Sequence, residues 1–272
     1  MVALAITGFI AFRWPLVRAH DAASLAGFVA LSSRRLDGLA SFIAHSVDPT
    51  PYALAGLALV AIALIRRRWL LAGVVPLTMV GAAATTELLK PIVGHLRYSD
   101  WFGPHQQIAA ASWPSGHATA AMTLVLCAVL VVPAAARPLV AVLGCAFAIG
   151  VSYSILMLRW HFPSDVLGGY LVAGAWISLA LAVLWCGWDR WPARDTHVSL
   201  SLGVSPLFAR LALIGVLFGG GFGLLLVRTR LSATYASGHA SLLAGASLIA
   251  LLAALLTAAV AAVTRPSSPA TA

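Results

Sequence analysis

Three short clusters in the sequence combine side chains that hold anions with side chains that attack or transfer protons. Lys90 and Arg97 form the first, Pro114-Ser115-Gly116-His117 the second, and Arg159 through His161 to Asp165 the third. Cationic side chains form the strongest hydrogen bonds to anions. A carboxylate on one nitrogen of an imidazole makes the other nitrogen a better nucleophile or base. These residue types predict chemistry on an anionic group.

The second cluster is typical of the start of a helix. Ser115 is a good N-cap, and the free N–H groups that follow it, together with the helix dipole, favour an anion there. Gly116 lets a ligand approach the backbone closely. An ordinary cap with an interfacial histidine explains the same residues, so this cluster alone decides nothing.

The other two clusters also have simple explanations when each is taken alone. Lys90, the only lysine in the chain, could snorkel at a helix end. Pro163 suits the first turn of a helix, which puts Asp165 in that turn and within reach of His161, and this could be an interfacial salt bridge. Three such clusters on one side of a membrane favour a common site instead.

The elements that position these residues are membrane helices. Hydrophobic residues make up 61% of the 272 residues and charged residues 9%, and the mean hydropathy is +0.96. A bilayer core takes roughly 20 apolar residues as helix, and irregular or open-sheet backbone is excluded there. The sequence therefore predicts an all-α polytopic membrane helix bundle of about eight spans. These are residues 70–86, 118–136, 138–158, 166–185, 211–227 and 240–264, with weaker spans at 1–12 and 52–65.

Basic loops suggest an orientation with the N-terminus in the cytoplasm. Arg66 to Arg68, Arg137, Arg190, Arg194 and Arg265 then lie inside, as the positive-inside rule asks. The three clusters lie outside, where basic residues need another reason to exist, such as an anion. We expect residues 1–12 to be a retained helix, because a basic n-region and a small-residue cleavage site are missing. The three cysteines fall in apolar spans and imply no disulfide or metal framework.

The chain divides into a six-span core and an added pair of helices. We expect the core at 1–187, a cytoplasmic linker at 188–206, two additional transmembrane helices at 207–264 and a disordered tail at 265–272. Residues 31–47 fit an amphipathic surface helix. Its predicted apolar face holds Leu36, Leu39, Ala40, Ile43 and Val47.

The three clusters, in this order and spacing, resemble the signatures of the type 2 phosphatidic acid phosphatase family. Those patterns are K-x6-R-P, P-S-G-H and S-R-x5-H-x3-D, on six membrane helices, and the likeness covers roughly the first 187 residues. Two residues depart from it. Tyr98 replaces a proline, and Ile155 replaces an arginine that binds phosphate in the family. Our hypothesis is that Arg159, one turn further on a continuous helix, supplies the missing guanidinium.

The resemblance implies a membrane lipid phosphatase with a phosphohistidine intermediate. His161 would attack phosphorus with Asp165 orienting its ring, and His117 would protonate the leaving group and then activate water. The phosphoryl oxygens would be held without a metal or other cofactor. The residues expected to hold them are Lys90, Arg97, Ser115, Gly116 and Arg159.

The expected partners are the lipid bilayer and a membrane lipid phosphate or diphosphate, not nucleic acid, and the oligomeric state is left open. Polyprenyl diphosphate, phosphatidic acid and phosphatidylglycerophosphate all fit, with a slight preference for the first because the site would face outward. A phosphotransferase using the same phosphohistidine and a non-catalytic lipid-binding protein are the alternatives. The alanine-rich, lysine-poor composition favours a bacterial cell membrane protein.

Two further residue groups fit structural roles better than catalytic ones. Ser237-Gly238-His239 repeats part of the second cluster without its proline, and we interpret it as a helix cap. Glu87 lies one turn before Lys90, so we expect an ion pair between them.

Overall fold

A computed structural model describes residues 8, 14–93, 112–187 and 240–264, and the regular structure of these residues is helical throughout. Eight helices follow one another along the described chain. They are α1 (Pro15–Ala30), α2 (Arg34–His45), α3 (Pro49–Ile65), α4 (Trp69–Val93), α5 (Gly116–Val131), α6 (Arg137–Met157), α7 (Pro163–Gly187) and α8 (Ala240–Val263).

Four of these helices, α4, α6, α7 and α8, are long and apolar enough to cross a membrane. The α2–α3 pair, bent by 50°, would be a fifth span if it is counted as one. Large apolar side chains remain exposed on the outer faces of the bundle, among them Ile65, Leu88 and Ile92. Lipid tails accept such surfaces, whereas a soluble monomer rarely exposes large contiguous ones. The protein is therefore a multi-pass helical membrane protein, as its composition predicts.

Most predicted spans within the described residues are helices. Helices cover the whole of the predicted spans at 52–65, 70–86 and 166–185. The spans at 138–158 and 240–264 are helical except for the last residue of each. The helix at 52–65 ends at Ile65, just before the three arginines. The predicted spans at 1–12, apart from residue 8, and at 211–227 lie outside the described residues, as do the linker at 188–206, the tail at 265–272 and Ser237-Gly238-His239. Among those residues the predictions stay predictions.

Two boundaries differ from the sequence prediction. The span predicted at 118–136 ends as a helix at Val131, because Pro133 follows and the residue before a proline avoids the α-helical region. Residues 19–30, which the predicted spans leave out, belong to α1. Leu25 and Phe28 are buried on that helix, which packs against α8, α6 and α7.

Residues 34–45 of the predicted surface helix form α2. The Ser33 side chain caps it by accepting a hydrogen bond from the N–H of Leu36. Ala40 and Ala44 are buried, whereas Leu39 is 52% exposed. That this helix lies on the membrane surface stays a prediction.

Helix α5 lies at the centre of the bundle. It packs against α3, α4, α6, α7 and α8, and its buried side chains include Ala118, Met122 and Leu126. A helix that is apolar on every side is expected in such an interior position. The first turn of this central helix carries the second cluster.

Candidate active site

Ser115 caps α5 as predicted from the sequence. It has an extended backbone conformation, and its side chain accepts a hydrogen bond from the N–H of Ala118 at 3.3 Å. The Ser115 N–H itself donates to the carbonyl oxygen of Asp165 at 2.9 Å. This bond joins the second cluster directly to the third.

Lys90, near the end of α4, lies beside Gly116. A Cβ atom added at Gly116 would lie 3.7 Å from the Lys90 Nζ and 3.7 Å from an oxygen of Glu87. Lys90 donates a hydrogen bond of 2.5 Å to that same oxygen, Oε1 of Glu87, so the predicted ion pair is confirmed. The structure thus brings the first and second clusters together. Arg97 lies outside the described residues.

The third cluster begins in a tight turn at the end of α6. The helix ends at Met157, and Arg159 has a φ of 63°. The Arg159 N–H donates to Leu156 and the Trp160 N–H to Ile155, which is the hydrogen-bond pattern of a Schellman motif. The premise of a continuous helix from Ile155 to Arg159 was therefore wrong. Ile155 is fully buried, whereas Arg159 is exposed.

Asp165 occupies the first turn of α7 and faces back toward His161. Its Oδ2 accepts a hydrogen bond from the N–H of Phe162 at 3.0 Å, the reciprocal half of a capping box. The same oxygen lies 3.4 Å from Nδ1 of His161. Asp165 is fully buried and His161 is 9% exposed. With Nδ1 turned toward the carboxylate, Nε2 is the ring nitrogen left for a reaction.

The start of α7 is also held by a residue that sequence reasoning missed. Asp21 of α1 is buried, 7% exposed, and accepts two hydrogen bonds from Ser164. The donors are the Ser164 N–H at 2.9 Å and its hydroxyl at 2.7 Å. A carboxylate at a helix N-terminus is stabilised by the free N–H groups and the dipole. Helix α1 thus anchors the turn that carries Asp165.

His117 completes the group at the same end of the bundle. Its ring centroid lies 6.4 Å from that of His161 and 5.2 Å from that of Trp160. One tetrahedral group could contact both imidazoles across such a distance. The Nε2 of His117 lies 3.2 Å from Oδ1 of Asp48, another residue that the sequence interpretation did not single out.

Burial and neighbouring charges set the protonation of His117, which lies just before the long apolar run of α5. Burial lowers its pKa below the ordinary value, and His161 lowers the pKa further. Asp48 raises the pKa through its hydrogen bond and charge, and His45 lowers it. The net direction is downward, so the His117 ring gives up a proton more readily than an exposed imidazole.

The site is rich in cations and hydrogen-bond donors rather than in metal ligands. No group of three or more histidine, cysteine or acidic side chains suited to a metal ion occurs among the residues that the structure describes. Cys127 and Cys145 are buried and Cys186 is exposed, and all three are free thiols. The predicted absence of a cofactor stays a prediction.

Comparison with known proteins finds one family over the part of the chain that holds these clusters. The PAP2 superfamily matches residues 71–191. The lipid A 1-phosphatase of Rhizobium johnstonii is 34% identical over 131 residues, covering 42% of this chain and 51% of the relative. That of Rhizobium etli is 34% identical over 131 residues, covering 42% and 54%. The chain thus spans about half the length of these curated relatives. No solved structure matches it.

Proposed function

We propose that this chain, whose residues 71–191 match the PAP2 superfamily, is an integral membrane phosphatase that hydrolyses a lipid phosphate or diphosphate through a phosphohistidine. The observation that carries this proposal is the pairing of two histidines at one end of the bundle. His161 lies against a buried carboxylate, and its ring is 6.4 Å from that of His117 at the start of α5. In this proposal His161 is the nucleophile and His117 the proton donor, and the distance between their rings supports a site for one phosphoryl group between them.

In the first step, Nε2 of His161 attacks phosphorus, and the bond from phosphorus to the leaving oxygen breaks as the N–P bond forms. Asp165 holds the ring from the Nδ1 side and stabilises the positive charge that develops on it. His117 donates its proton to the leaving oxygen. The lipid alcohol departs with that proton on its oxygen, and when the substrate is a diphosphate the leaving group is the lipid monophosphate.

In the second step, water hydrolyses the phosphohistidine and restores the free enzyme. His117 is now a neutral base and takes a proton from the water as its oxygen attacks phosphorus. The N–P bond breaks, and the electron pair returns to Nε2 of His161. Inorganic phosphate leaves, and His117 carries its proton again, so the cycle closes.

The remaining predicted residues hold the phosphoryl oxygens, on which transition-state charge accumulates. Lys90 lies close to Gly116, whose N–H is one of the free donors at the start of α5. Ser115 contributes its hydroxyl. Arg159, two residues before His161, contributes its guanidinium, and Arg97 is assigned the same role from its motif alone.

We propose that the site faces the extracytoplasmic side. Support comes from the opposite end of α5, where Arg66 and Arg68 donate hydrogen bonds to the carbonyl oxygens of Val131 and Leu130. Arg137 begins the next helix nearby. This concentration of arginines marks a cytoplasmic end by the positive-inside rule, and the histidines lie at the other end.

The substrate class follows from a polar site at the end of a membrane bundle. A phosphorylated lipid can place its headgroup at the histidines while its chains stay in the bilayer. Polyprenyl diphosphate, phosphatidic acid and phosphatidylglycerophosphate remain candidates, and the name of the curated relatives adds lipid A to them.

The decisive experiment measures phosphate release from these four lipids by purified full-length protein in detergent with EDTA present. We expect release by wild type and by His20→Ala, a control whose exposed ring contacts Ser241 rather than a residue of the proposed site. We expect His161→Ala to release nothing detectable. Rapid acid-free quenching should also trap a phosphoenzyme that acid hydrolyses, because a phosphoramidate N–P bond is acid-labile.

Two results would change the proposal. Release that EDTA abolishes, or that survives in His161→Ala, would contradict a metal-independent phosphohistidine mechanism. Phosphoryl transfer to an added lipid or sugar acceptor, without release to water, would show a phosphotransferase instead.

A further inference from the structure

Asp48 lies in the short connection between α2 and α3, at the N-cap position of α3, yet it does not cap that helix. An N-cap aspartate ordinarily accepts a hydrogen bond from the second or third N–H of its own helix. The Asp48 side chain makes no such bond. Its Oδ1 lies instead 3.2 Å from Nε2 of His117, a residue 69 positions away in the chain.

The local sequence explains why this carboxylate is available. Pro49 and Pro51 occupy the first and third positions of α3, and proline has no backbone N–H. One of the two donors that would hold a capping carboxylate is therefore missing. The fixed φ of Pro49 still starts the helix efficiently. The sequence Asp-Pro-Thr-Pro thus begins a helix while leaving the aspartate free to turn toward α5.

The neighbours of His117 limit what else could orient its ring. Trp160 packs on it at 5.2 Å between ring centroids, and His45 packs edge-on against Trp160 at 5.4 Å. The charged or titratable groups around the first turn of α5 come from several elements. They are His45 from α2, Asp48 from the α2–α3 connection, Glu87 and Lys90 from α4 beside Gly116, and His161 from the turn before α7.

Among these groups, Asp48 is the one that makes a hydrogen bond to the His117 ring. An ionised carboxylate only accepts hydrogen bonds, so Nε2 must carry a proton and Nδ1 becomes the nitrogen that can give or take one. The negative charge of Asp48 also favours the protonated imidazole, which is the form that a general acid needs.

We propose that Asp48 is a positioning residue for His117: it fixes the ring with Nδ1 available for proton transfer and stabilises the imidazolium before the leaving group departs. The inference rests on the proposed function and assigns a carboxylate partner to each of its two histidines. Asp165 serves His161 and Asp48 serves His117.

The first test compares leaving groups. Asp48→Asn keeps the shape and an acceptor oxygen but removes the charge. General acid catalysis contributes roughly 10² to 10⁴-fold, so we expect kcat/KM for an alkyl lipid phosphate to fall about 10- to 100-fold. The p-nitrophenolate group leaves without needing a proton, so kcat/KM for p-nitrophenyl phosphate should change by less than about 3-fold. Asp48→Glu should recover part of the loss on the lipid substrate.

The control is Asp37→Asn. Asp37 also lies in the first turn of a helix, where it accepts hydrogen bonds from the hydroxyl of Ser32 rather than contacting a histidine. We expect both substrates to be hydrolysed by this variant at wild-type rates. Equal losses on both substrates in Asp48→Asn would indicate a purely structural role and overturn the proposal, and so would the absence of any loss.

The second test does not depend on turnover. In full-length protein with ¹³C-labelled histidines, the His117 resonance, assigned through His117→Gln, is titrated in wild type and Asp48→Asn. Loss of the carboxylate should lower the pKa of His117, and the alkaline limb of kcat/KM should move to lower pH with it. An unchanged His117 pKa would overturn the pairing. A lowered pKa in a protein that hydrolyses no phosphate ester would support the pairing and overturn the phosphatase function.

Discussion

Arg159 holds a backbone conformation that usually belongs to glycine. Its φ of 63° closes the turn between α6 and the third cluster. A residue with a Cβ atom pays about 1–2 kcal/mol for the left-handed region, and such strain often occurs at functional sites. The cost is consistent with a side chain retained for its charge. It also means that the Arg159 side chain extends from a turn rather than from the face of α6.

We expect Arg159→Gly to change stability and activity in opposite directions. Relief of the backbone strain should raise the unfolding midpoint, by about 1 kcal/mol in free energy. Loss of the guanidinium should lower kcat/KM on a lipid phosphate by about 10²-fold or more, the usual effect of removing one group that stabilises transition-state charge. Thermal unfolding in detergent and steady-state kinetics measure the two quantities.

Arg67 offers a matched control, because it too has a left-handed φ, of 55°, at the opposite end of the bundle. Arg67→Gly should gain similar stability and keep full activity. Wild-type kinetics in Arg159→Gly would refute a phosphate-binding role for Arg159.

At this scale the sequence predicted local contacts well and distant ones poorly. The cap at Ser115, the Glu87–Lys90 pair and the approach of Asp165 to His161 all join residues within one turn of each other. Asp48 and His117 are 69 residues apart, and only the tertiary fold brings them together. The left-handed turn at Arg159 also escaped prediction, because no glycine marks it.

The junction of α5 with α7 determines the geometry of the site among the helices. The Ser115 N–H donates to the Asp165 carbonyl at the start of α7, and the Thr119 hydroxyl lies 3.3 Å from the Gly169 carbonyl one turn further on. A Cβ atom added at Gly169 would lie 2.7 Å from the Ser115 carbonyl oxygen and 3.0 Å from the Thr119 nitrogen. The absence of a side chain at Gly169 is therefore what lets the two helix starts meet.

We predict that Gly169→Ala separates these helices. The new methyl would meet backbone atoms, which cannot rotate away, so we expect a loss of about 1–3 kcal/mol in stability, as for overpacked interiors. Displacement of Ser115 from Asp165 should lower phosphate release at least about 10-fold, since misplacement of about 1 Å can cost up to about 10²-fold. Both effects are measured in detergent by thermal unfolding and by initial rates.

The comparison variant is Gly150→Ala, at a helical glycine of α6 where an added Cβ would have no neighbour within 4 Å. Alanine is favoured over glycine in a helix by roughly 0.5–1 kcal/mol, so this variant should be as stable as wild type or slightly more so, and fully active. A Gly169→Ala protein that behaves in the same way would show that the junction tolerates a wider spacing.

Hydropathy predicted which segments of the described chain are helical better than it predicted their roles. It finds apolar runs, but not that α5 stops at Val131 or that residues 19–30 form part of a packed helix. Helix α1 mixes polar and apolar residues, and its packing against α8 contributes to its stability as a helix. The local pattern of apolar residues does not show that another helix will bury this surface.

In the whole molecule, the last described helix is part of the interior. Helix α8 packs against α1, α5, α6 and α7, and the Tyr153 hydroxyl of α6 donates to the carbonyl oxygen of Ala246 at 2.9 Å. Its small buried residues Ala250, Ala253 and Ala254 allow close approach. The division into a core and an added helix pair stays a prediction, but α8 itself contacts α5, which carries His117, and the two helices on either side of His161.

We predict that enlarging this contact destabilises the whole bundle. Ala253 is fully buried, so Ala253→Leu should cost about 1–3 kcal/mol and lower the unfolding midpoint of the full-length protein. Leu248→Ala, at a position 54% exposed on the same helix, should have little effect in detergent. An unchanged midpoint in Ala253→Leu would mean that α8 is a peripheral addition.

The fold class, an all-helical membrane bundle, could be predicted from composition because lipid permits few alternatives. The arrangement of the helices could not, since helices that are equally apolar on all sides give no signal of which neighbour each one faces. The order of the three clusters predicted a shared site, and the described parts of all three do lie at one end of the bundle.

The hydrogen bond from the Ser115 N–H to the Asp165 carbonyl has a consequence for how this site tolerates mutation. Since both groups belong to the main chain, no substitution at position 115 or 165 removes the donor or the acceptor, except proline at position 115. Saturation mutagenesis of positions 115 and 165 would therefore report on the chemistry of the two side chains and would not test the main-chain hydrogen bond between them. Substitutions at these two positions can therefore change the side chains that the site presents while the main-chain bond that sets their spacing is kept.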